Sequence, residues 1–236
     1  AGSDKKYQLL IWRAAAIFLL AVSSVSIYLM LEKDKPQKDL VEYYIPTAEI
    51  REFTLPDGTR VMLNSKSTLL YPEQFTGKTR SVYLIGEANF QVKQDKEHPF
   101  IVKANDFQIT ALGTEFNVKA YPEEDVITAS LIEGKVRVDC NDTISYVLTP
   151  GYQVVYNKCT DDCQMLTANM KDVTAWMRGE LVFDKVTLAE IVRTLERHYG
   201  ITFHISTKKS NQDRYNFVFR KDATLEETLE VMKVVI

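Results

Sequence analysis

Histidine and cysteine are scarce in this chain of 236 residues, three of each, and none sits at a spacing that would hold zinc. There is no Gly-x-Ser-x-Gly elbow, no phosphate-binding loop and no dinucleotide fingerprint, so the usual motif-borne enzyme chemistries have no anchor. A basic excess is missing as well. The 29 Lys and Arg face 32 Asp and Glu, a net charge of −3, which argues against a nucleic-acid partner. Nothing in the sequence asks for a cofactor. Cys140, Cys159 and Cys163 make an odd count. Cys159 and Cys163 flank the turn-like Thr160-Asp161-Asp162, so a cross-hairpin disulfide and ordinary free thiols are both open.

What the chain does have is a series of short strands punctuated by glycine. Arg80 to Ile85 alternates before Gly86, and Ala88 to Val92 alternates after it. Phe100-Ile101-Val102, Phe107-Gln108-Ile109, Phe116-Asn117-Val118, Val126 to Ile132, Val136-Arg137-Val138 and Gln153 to Tyr156 continue the pattern. Period-two runs separated by turn residues predict a sandwich, barrel or solenoid of strands, with no competing helical stripe. The expectation is an all-β domain over 48–170. The acidic residues beside its turns, Asp57, Glu87, Glu115 and Glu133, read as solvated turn carboxylates rather than a catalytic pair.

Near the start, Ala14 to Leu31 is an 18-residue run without a charge. A helix of that length, extended by Leu9 to Trp12, matches a hydrocarbon layer of about 30 Å. Trp12 and Tyr28 fall near its ends, and Lys5, Lys6 and Arg13 precede it, so the positive-inside rule places the N-terminus in the cytoplasm. The expectation is a transmembrane helix over 14–31 after a short cytoplasmic segment, 1–13, with 32–47 as linker. A cleaved signal peptide is the alternative, but its apolar core is normally about 7–15 residues.

After Trp176 the pattern changes. Glu180 to Phe183 reads as a strand, Thr187 and Glu190 as a capping box, and Leu188, Ile191, Val192, Leu195 and Tyr199 as one helical face closed by Gly200. Ile201 to Ile205 is the next expected strand. Tyr215 to Phe219 and then Thr224 and Glu227 repeat the unit 37 residues on. Two βαβ-like repeats predict a small α+β domain over 171–236. By the same offset the closing strand of the second repeat would begin after Ile236, so either the sequence is cut short there or a sheet edge is left to a partner.

Six motifs in order carry a resemblance: Thr54-Leu55-Pro56-Asp57-Gly58-Thr59, Gly86 to Val92, Pro99 to Val102, Leu112-Gly113-Thr114-Glu115-Phe116-Asn117-Val118, Glu133 to Val136 and Leu148 to Gly151. Together they resemble the FecR-type anti-sigma regulators, and the C-terminal domain is similar to one related to the short signalling domain of TonB-dependent transporters in the Bacteroides-type branch. The resemblance implies a single-pass inner-membrane protein with its bulk in the periplasm. It implies regulation of an extracytoplasmic-function sigma factor, which relays the state of an outer-membrane TonB-dependent transporter through that transporter's signalling domain. Periplasmic and intramembrane proteases would be further partners. The family's sigma-binding domain has no counterpart in residues 1–13, so these residues are not expected to bind the sigma factor directly.

The resemblance also marks candidate sites. Some relatives cut themselves at the corresponding Gly-Thr, here Gly113-Thr114, by attack of the Thr114 hydroxyl on the Gly113 carbonyl. The alternative is a plain turn at Gly113 with Thr114 opening a strand. For partner binding the candidates are Tyr215, Phe217, Val218 and Phe219, on the strand expected at the open edge, although the aromatic three also suit a core under the helices. A third reading, a glycan-binding or envelope-structural module, would use Tyr43, Tyr44, Tyr71, Tyr121 and Tyr152 as platforms.

Overall fold

The computed structural model describes residues 12–13, 15–26, 40–105, 107–141, 143–204 and 213–236. Two compact units divide at residue 39. In the first, the described residues 12–13 and 15–26 are helical (α1) and exposed. Among the described residues no helix is long and apolar enough to cross a membrane. This overturns the expected transmembrane helix and, with it, the membrane-anchored fold class and the single-pass inner-membrane placement. Residues 27–31 of the expected span, Tyr28 included, lie outside the described residues.

The second unit is built first from the alternating runs. One layer consists, in spatial order, of β1 (Leu40–Tyr44), β4 (Thr68–Pro72), the first half of β5 (Arg80–Gln91), β6 (Phe100–Ala104), β7 (Phe107–Ala111), β10 (Val136–Asp139) and β11 (Ser145–Leu148). The other consists of β2 (Arg51–Thr54), β3 (Arg60–Leu63), the second half of β5, β8 (Glu115–Ala120), β9 (Val126–Glu133), β12 (Tyr152–Asn157) and β13 (Asp162–Thr167). Every pairing is antiparallel except β5 with β6. Because β5 serves both layers, the strands form one barrel-like sheet of 13.

The layer switch sits at Gly86. Leu84 pairs with Leu69 of β4, whereas Ala88 pairs with Leu63 of β3. Gly86 has φ +106°, and a Cβ there would lie 2.7 Å from the Ser67 Cα, so only glycine lets the two backbones approach this closely. Alternate residues from both layers, among them Val61, Phe90, Phe100, Phe107 and Phe116, fill the space between them. Cys140, after β10, is disulfide-bonded to Cys163 on β13, so the bond joins the edge regions of the two layers. Cys159 is free and exposed. Of the options open from sequence, neither the Cys159–Cys163 bridge nor three free thiols is the one formed.

After β13 come a short helix α2 (Met170–Val173), a 3₁₀ turn (Ala175–Arg178), β14 (Leu181–Val186), α3 (Leu188–Tyr199), β15 (Tyr215–Phe219) and α4 (Leu225–Val235). Both expected capping boxes form, Thr187 with Glu190 and Thr224 with Glu227, each satisfying donors at its helix start. Gly200 closes α3 in the left-handed conformation. Leu181, Phe183, Ile191, Leu195, Phe217, Phe219 and Met232 make a separate small core. Among the described residues the repeats are not βαβ units, and Ile205 of the expected strand lies outside them. Residues 201–204 form no strand, and β14 pairs antiparallel with β15, which leaves two βα units on a two-stranded sheet. Residues of α3 and α4 pack with those of β14 and β15 in that core, the helix packing that a two-stranded sheet needs for stability.

Candidate functional site

The site begins with residues that alternate away from the β core. Ala88 and Phe90 of β5 are buried inside, so Glu87 and Asn89 point to the opposite face, beside Asn117 and Lys119 of β8. On an isolated sheet these side chains would be solvated. Here the 3₁₀ turn and α3 cover them. Trp176 Nε1 donates to Asn117 Oδ1 at 3.1 Å, Asn117 Nδ2 donates to Glu87 Oε1 at 3.0 Å, and Asn64 Nδ2 donates to Glu87 Oε2 at 2.8 Å. Burial pushes the Glu87 carboxyl above its ordinary range, against the opposing pull of Lys119 and the two amide donors. The expectation that Glu87 is a solvated turn carboxylate is therefore corrected.

Arg197, in the last turn of α3, is 5% exposed and reaches into the β unit. Its Nη2 donates to Glu124 at 2.5 Å and its Nη1 to Glu123 at 2.8 Å. The guanidinium also lies 3.8 Å from the centre of the Tyr121 ring. Lys119 Nζ adds a second cation on Glu124 at 2.7 Å. Burial alone would raise the Glu124 pKa, but the Lys119 and Arg197 charges outweigh it and hold the carboxyl below its ordinary value. The Arg197 carbonyl accepts from Ala48 N at 2.9 Å. These bonds latch the α+β part onto the β unit around a cavity of about 220 Å³ bounded by Glu87, Asn117, Lys119, Trp176, Arg197 and His198. None of the latch residues was singled out as a site from sequence apart from Tyr121, which had been considered as a sugar platform. The polar residues at every second position of β5 and β8 read in sequence as an ordinary solvated face, so no local signal marked them as covered.

The partner-binding candidates share one strand but not one face. Phe217 and Phe219 are buried in the small core, Tyr215 is half-buried against it, and Val218 is 74% exposed on the opposite side. Val218 pairs with Val182 of β14, and Asn216 Oδ1 accepts from the Lys185 N–H where the ladder is irregular. Among the described residues, β14 and β15 pair only with each other, so each has an unpaired edge.

Gly113, at φ +147°, lies against Gln94, whose Cα would be 2.8 Å from an added Cβ. Thr114 is buried, its carbonyl accepts from Val92 N at 2.9 Å, and its Oγ1 has no hydrogen-bond partner among the described residues. Among the described residues no side-chain base is bonded to that hydroxyl. The five tyrosines make no common platform: Tyr43 and Tyr71 pack on Phe53, Tyr121 is buried under Arg197, and Tyr44 and Tyr152 are exposed on strands of different layers.

Residues 42–137 match the family model "FecR protein", and residues 180–236 match "FecR, C-terminal". A crystal structure at 1.65 Å of a candidate anti-sigma factor from Parabacteroides distasonis ATCC 8503 is 32% identical, with a TM-score of 0.79 over 83% of this chain and 92% of that one. The chain belongs to the FecR family. A second structure of a candidate anti-sigma factor from the same strain, at 2.50 Å, gives 31% identity and the same TM-score over 84% and 92% of the two chains. No curated protein matches. In this FecR-family chain Glu124 and Tyr121 lie in the first matched segment, Arg197 in the second, and Trp176 between them, so the latch is where the two family segments meet.

Proposed function

We propose that this chain is an anti-sigma regulator that works by protein–protein contact. It relays the state of a TonB-dependent transporter to an extracytoplasmic-function sigma factor. Family membership supports the regulatory part. The observation that carries the receptor side is the two-stranded β14–β15 sheet: its unpaired edges offer N–H and C=O groups to an incoming strand, while Phe217 and Phe219 stay in the core. The partner is the transporter's signalling domain, docked on the β15 edge with Val218 beside it. Release by regulated proteolysis rests on the family resemblance alone.

Titration of the signalling domain onto the chain by calorimetry tests this. Proline at Asn216 removes a backbone donor from β15 and the side-chain acceptor for Lys185 N, so binding should weaken by about 2 kcal/mol or more, roughly thirtyfold. Val218→Lys should cost less if only the backbone pairs. Unchanged affinity in an Asn216→Pro variant that keeps its helical signal would remove β15 as the docking edge.

A second reading, self-cleavage between Gly113 and Thr114, is favoured by one observation: the buried Thr114 hydroxyl has no partner to compete with attack on the preceding carbonyl. Intact-mass measurement of fresh protein decides it. A break at that bond, lost in Thr114→Val, supports cleavage, and a single unbroken mass leaves the turn as the full explanation.

A further inference from the structure

Strand β15, Tyr215-Asn216-Phe217-Val218-Phe219, contains neither a proline nor a charge. Its odd-numbered residues serve the small core, with Phe217 and Phe219 buried and Tyr215 packed against them. Its even-numbered residues face away, and Val218 is 74% exposed. The extra residue of the ladder lies in β14, between Phe183 and Val186, so β15 itself runs regularly. Sheet edges are normally blunted by a charge, a proline, a bulge or a covering strand. Among the described residues β15 has none of these on its free side.

The residues on and beside β15 are complementary to a second copy of themselves. Two copies of one strand pair antiparallel about a twofold axis, with one residue opposite itself, so few registers are possible. With Phe217 at the centre, Arg214 of each copy faces Arg220 of the other. Centres at Asn216 or Phe219 set Arg214 or Arg220 against Val218. With Val218 at the centre, Val218 meets Val218, Phe217 meets Phe219, and Asn216 meets Arg220. The same register brings Arg214 to the strand end where Asp222 lies, in the turn closed by Ala223 N on the Arg220 carbonyl at 3.0 Å. Arg214 is 56% exposed and only loosely held by Glu190 at 3.4 Å, so it is free to swing to that carboxylate. Apolar and opposite-charge pairs directly across a ladder stabilise it, and like charges destabilise it. Charge and apolarity thus single out the register centred on Val218.

We propose that a second copy of this chain pairs along β15, antiparallel about a twofold axis at Val218, to make the sheet β14–β15–β15–β14. Joining two two-stranded sheets in this way gives the strand number at which a sheet becomes stable in its own right. The inference rests on the same reading of β15 as an open edge that carries the proposed relay. It adds regulation of that edge, because self-pairing and docking of the transporter's signalling domain exclude each other. A contact confined to one five-residue strand is small, so the pairing is reversible and the edge can be surrendered to a partner.

Sedimentation of the whole chain over a range of concentrations, with no partner present, tests the pairing. The expected result is a reversible monomer–dimer equilibrium. Val218→Lys sets two ammonium groups against each other at the twofold axis and should weaken self-association at least about tenfold. The same variant puts only one lysine beside a docked signalling domain, so affinity for that domain should change far less. Cross-linking fixes the register. In a Cys159→Ser background under an added oxidant, Val218→Cys should link to itself, because directly opposed Cβ atoms lie about 4.5–5.5 Å apart, whereas Asn216→Cys should not. A monomer at every concentration, or a dimer indifferent to Val218→Lys, would overturn the proposal. Cross-linking that favours Asn216→Cys would overturn the register. Self-pairing and relay fail separately. A monomer whose Asn216→Pro variant still loses the signalling domain removes self-pairing and leaves the relay. A dimer that an excess of signalling domain does not dissociate overturns the shared edge.

Discussion

Arg197→Met takes the charge out of the latch while keeping a side chain that can lie on Tyr121. Removing one partner of a buried ion pair costs about 3–5 kcal/mol, because the other charge stays behind uncompensated. Two features place this variant near the lower limit. Glu124 keeps Lys119 at 2.7 Å, and the Glu123 side chain is 45% exposed and can return to water. The expected loss is about 3 kcal/mol. With a urea m-value of about 2 kcal/mol/M, the midpoint should fall by about 1.5 M. Fluorescence of Trp176, which sits on the interface through its bond to Asn117, is the probe, and a Trp12→Phe background removes the only other tryptophan. The pH dependence gives an independent check. The folded-state Glu124 pKa is lowered from 4.5, so its contribution is present above 4.5 and is lost as pH falls through the folded value. Arg197 is one cause of that lowering, so the gap between parent and variant should be widest near neutrality and narrow below about pH 4.5. A double-mutant cycle with Glu124→Gln should show coupling above about 1 kcal/mol. A midpoint shift under about 0.5 M at pH 7, or additive losses in the cycle, would refute the latch.

Glu87→Gln tests the buried carboxyl in the opposite direction: its folded pKa is raised from 4.5, so the parent should gain stability relative to the variant as pH falls from the folded value towards 4.5, and a flat difference across pH titrations of stability would contradict this. For the disulfide, a sequence separation of 23 gives a loop-closure contribution of about 3 kcal/mol, so Cys140→Ser/Cys163→Ser should lose about that much in denaturant unfolding while Cys159→Ser loses almost nothing. Gly86→Ala should cost about 3 kcal/mol and lower the melting temperature by roughly 10 °C, whereas Gly151→Ala, at a similar φ of +89° but with nothing within 4 Å, should cost only about 1 kcal/mol.

The β unit was legible because its signal is local. Period-two alternation fixes which side chains face the core, and both helix starts of the α+β part were written in Thr-x-x-Glu. What the sequence did not carry was the layer change. Gly86 read as the end of one strand and the beginning of another, yet β5 runs through it for 12 residues and changes layer there, because a glycine can bend a strand without ending it. The disulfide was missed for a related reason. The two plausible partners were the close pair Cys159 and Cys163, whereas the bonded pair, Cys140 and Cys163, is brought together only once β10–β11 and β13 lie at neighbouring layer edges. The N-terminal apolar run shows the converse: composition alone set the expectation of a membrane span, and among the described residues no helix is long and apolar enough to cross a membrane.

The latch lay furthest from sequence reasoning, and the physical cause is general to polar residues on covered sheet faces. Glu87, Asn89, Asn117 and Lys119 obey the alternation that ordinarily means a solvated face, and no property of the strands says that a 3₁₀ turn and a helix 60 to 110 residues later will cover it. Arg197 likewise looks like an ordinary cation in the last turn of an amphipathic helix, where it would favour the helix dipole from a solvated position. Only the pairing with Glu124 and the contact with Tyr121 reveal that it faces inward. A buried charge of this kind adds little net stability over an apolar contact, but it penalises any arrangement that separates the two family segments without a new partner for Glu124. A partner docked on the β15 edge, as proposed, would therefore act on a part that is held against the β unit by a charged contact from α3.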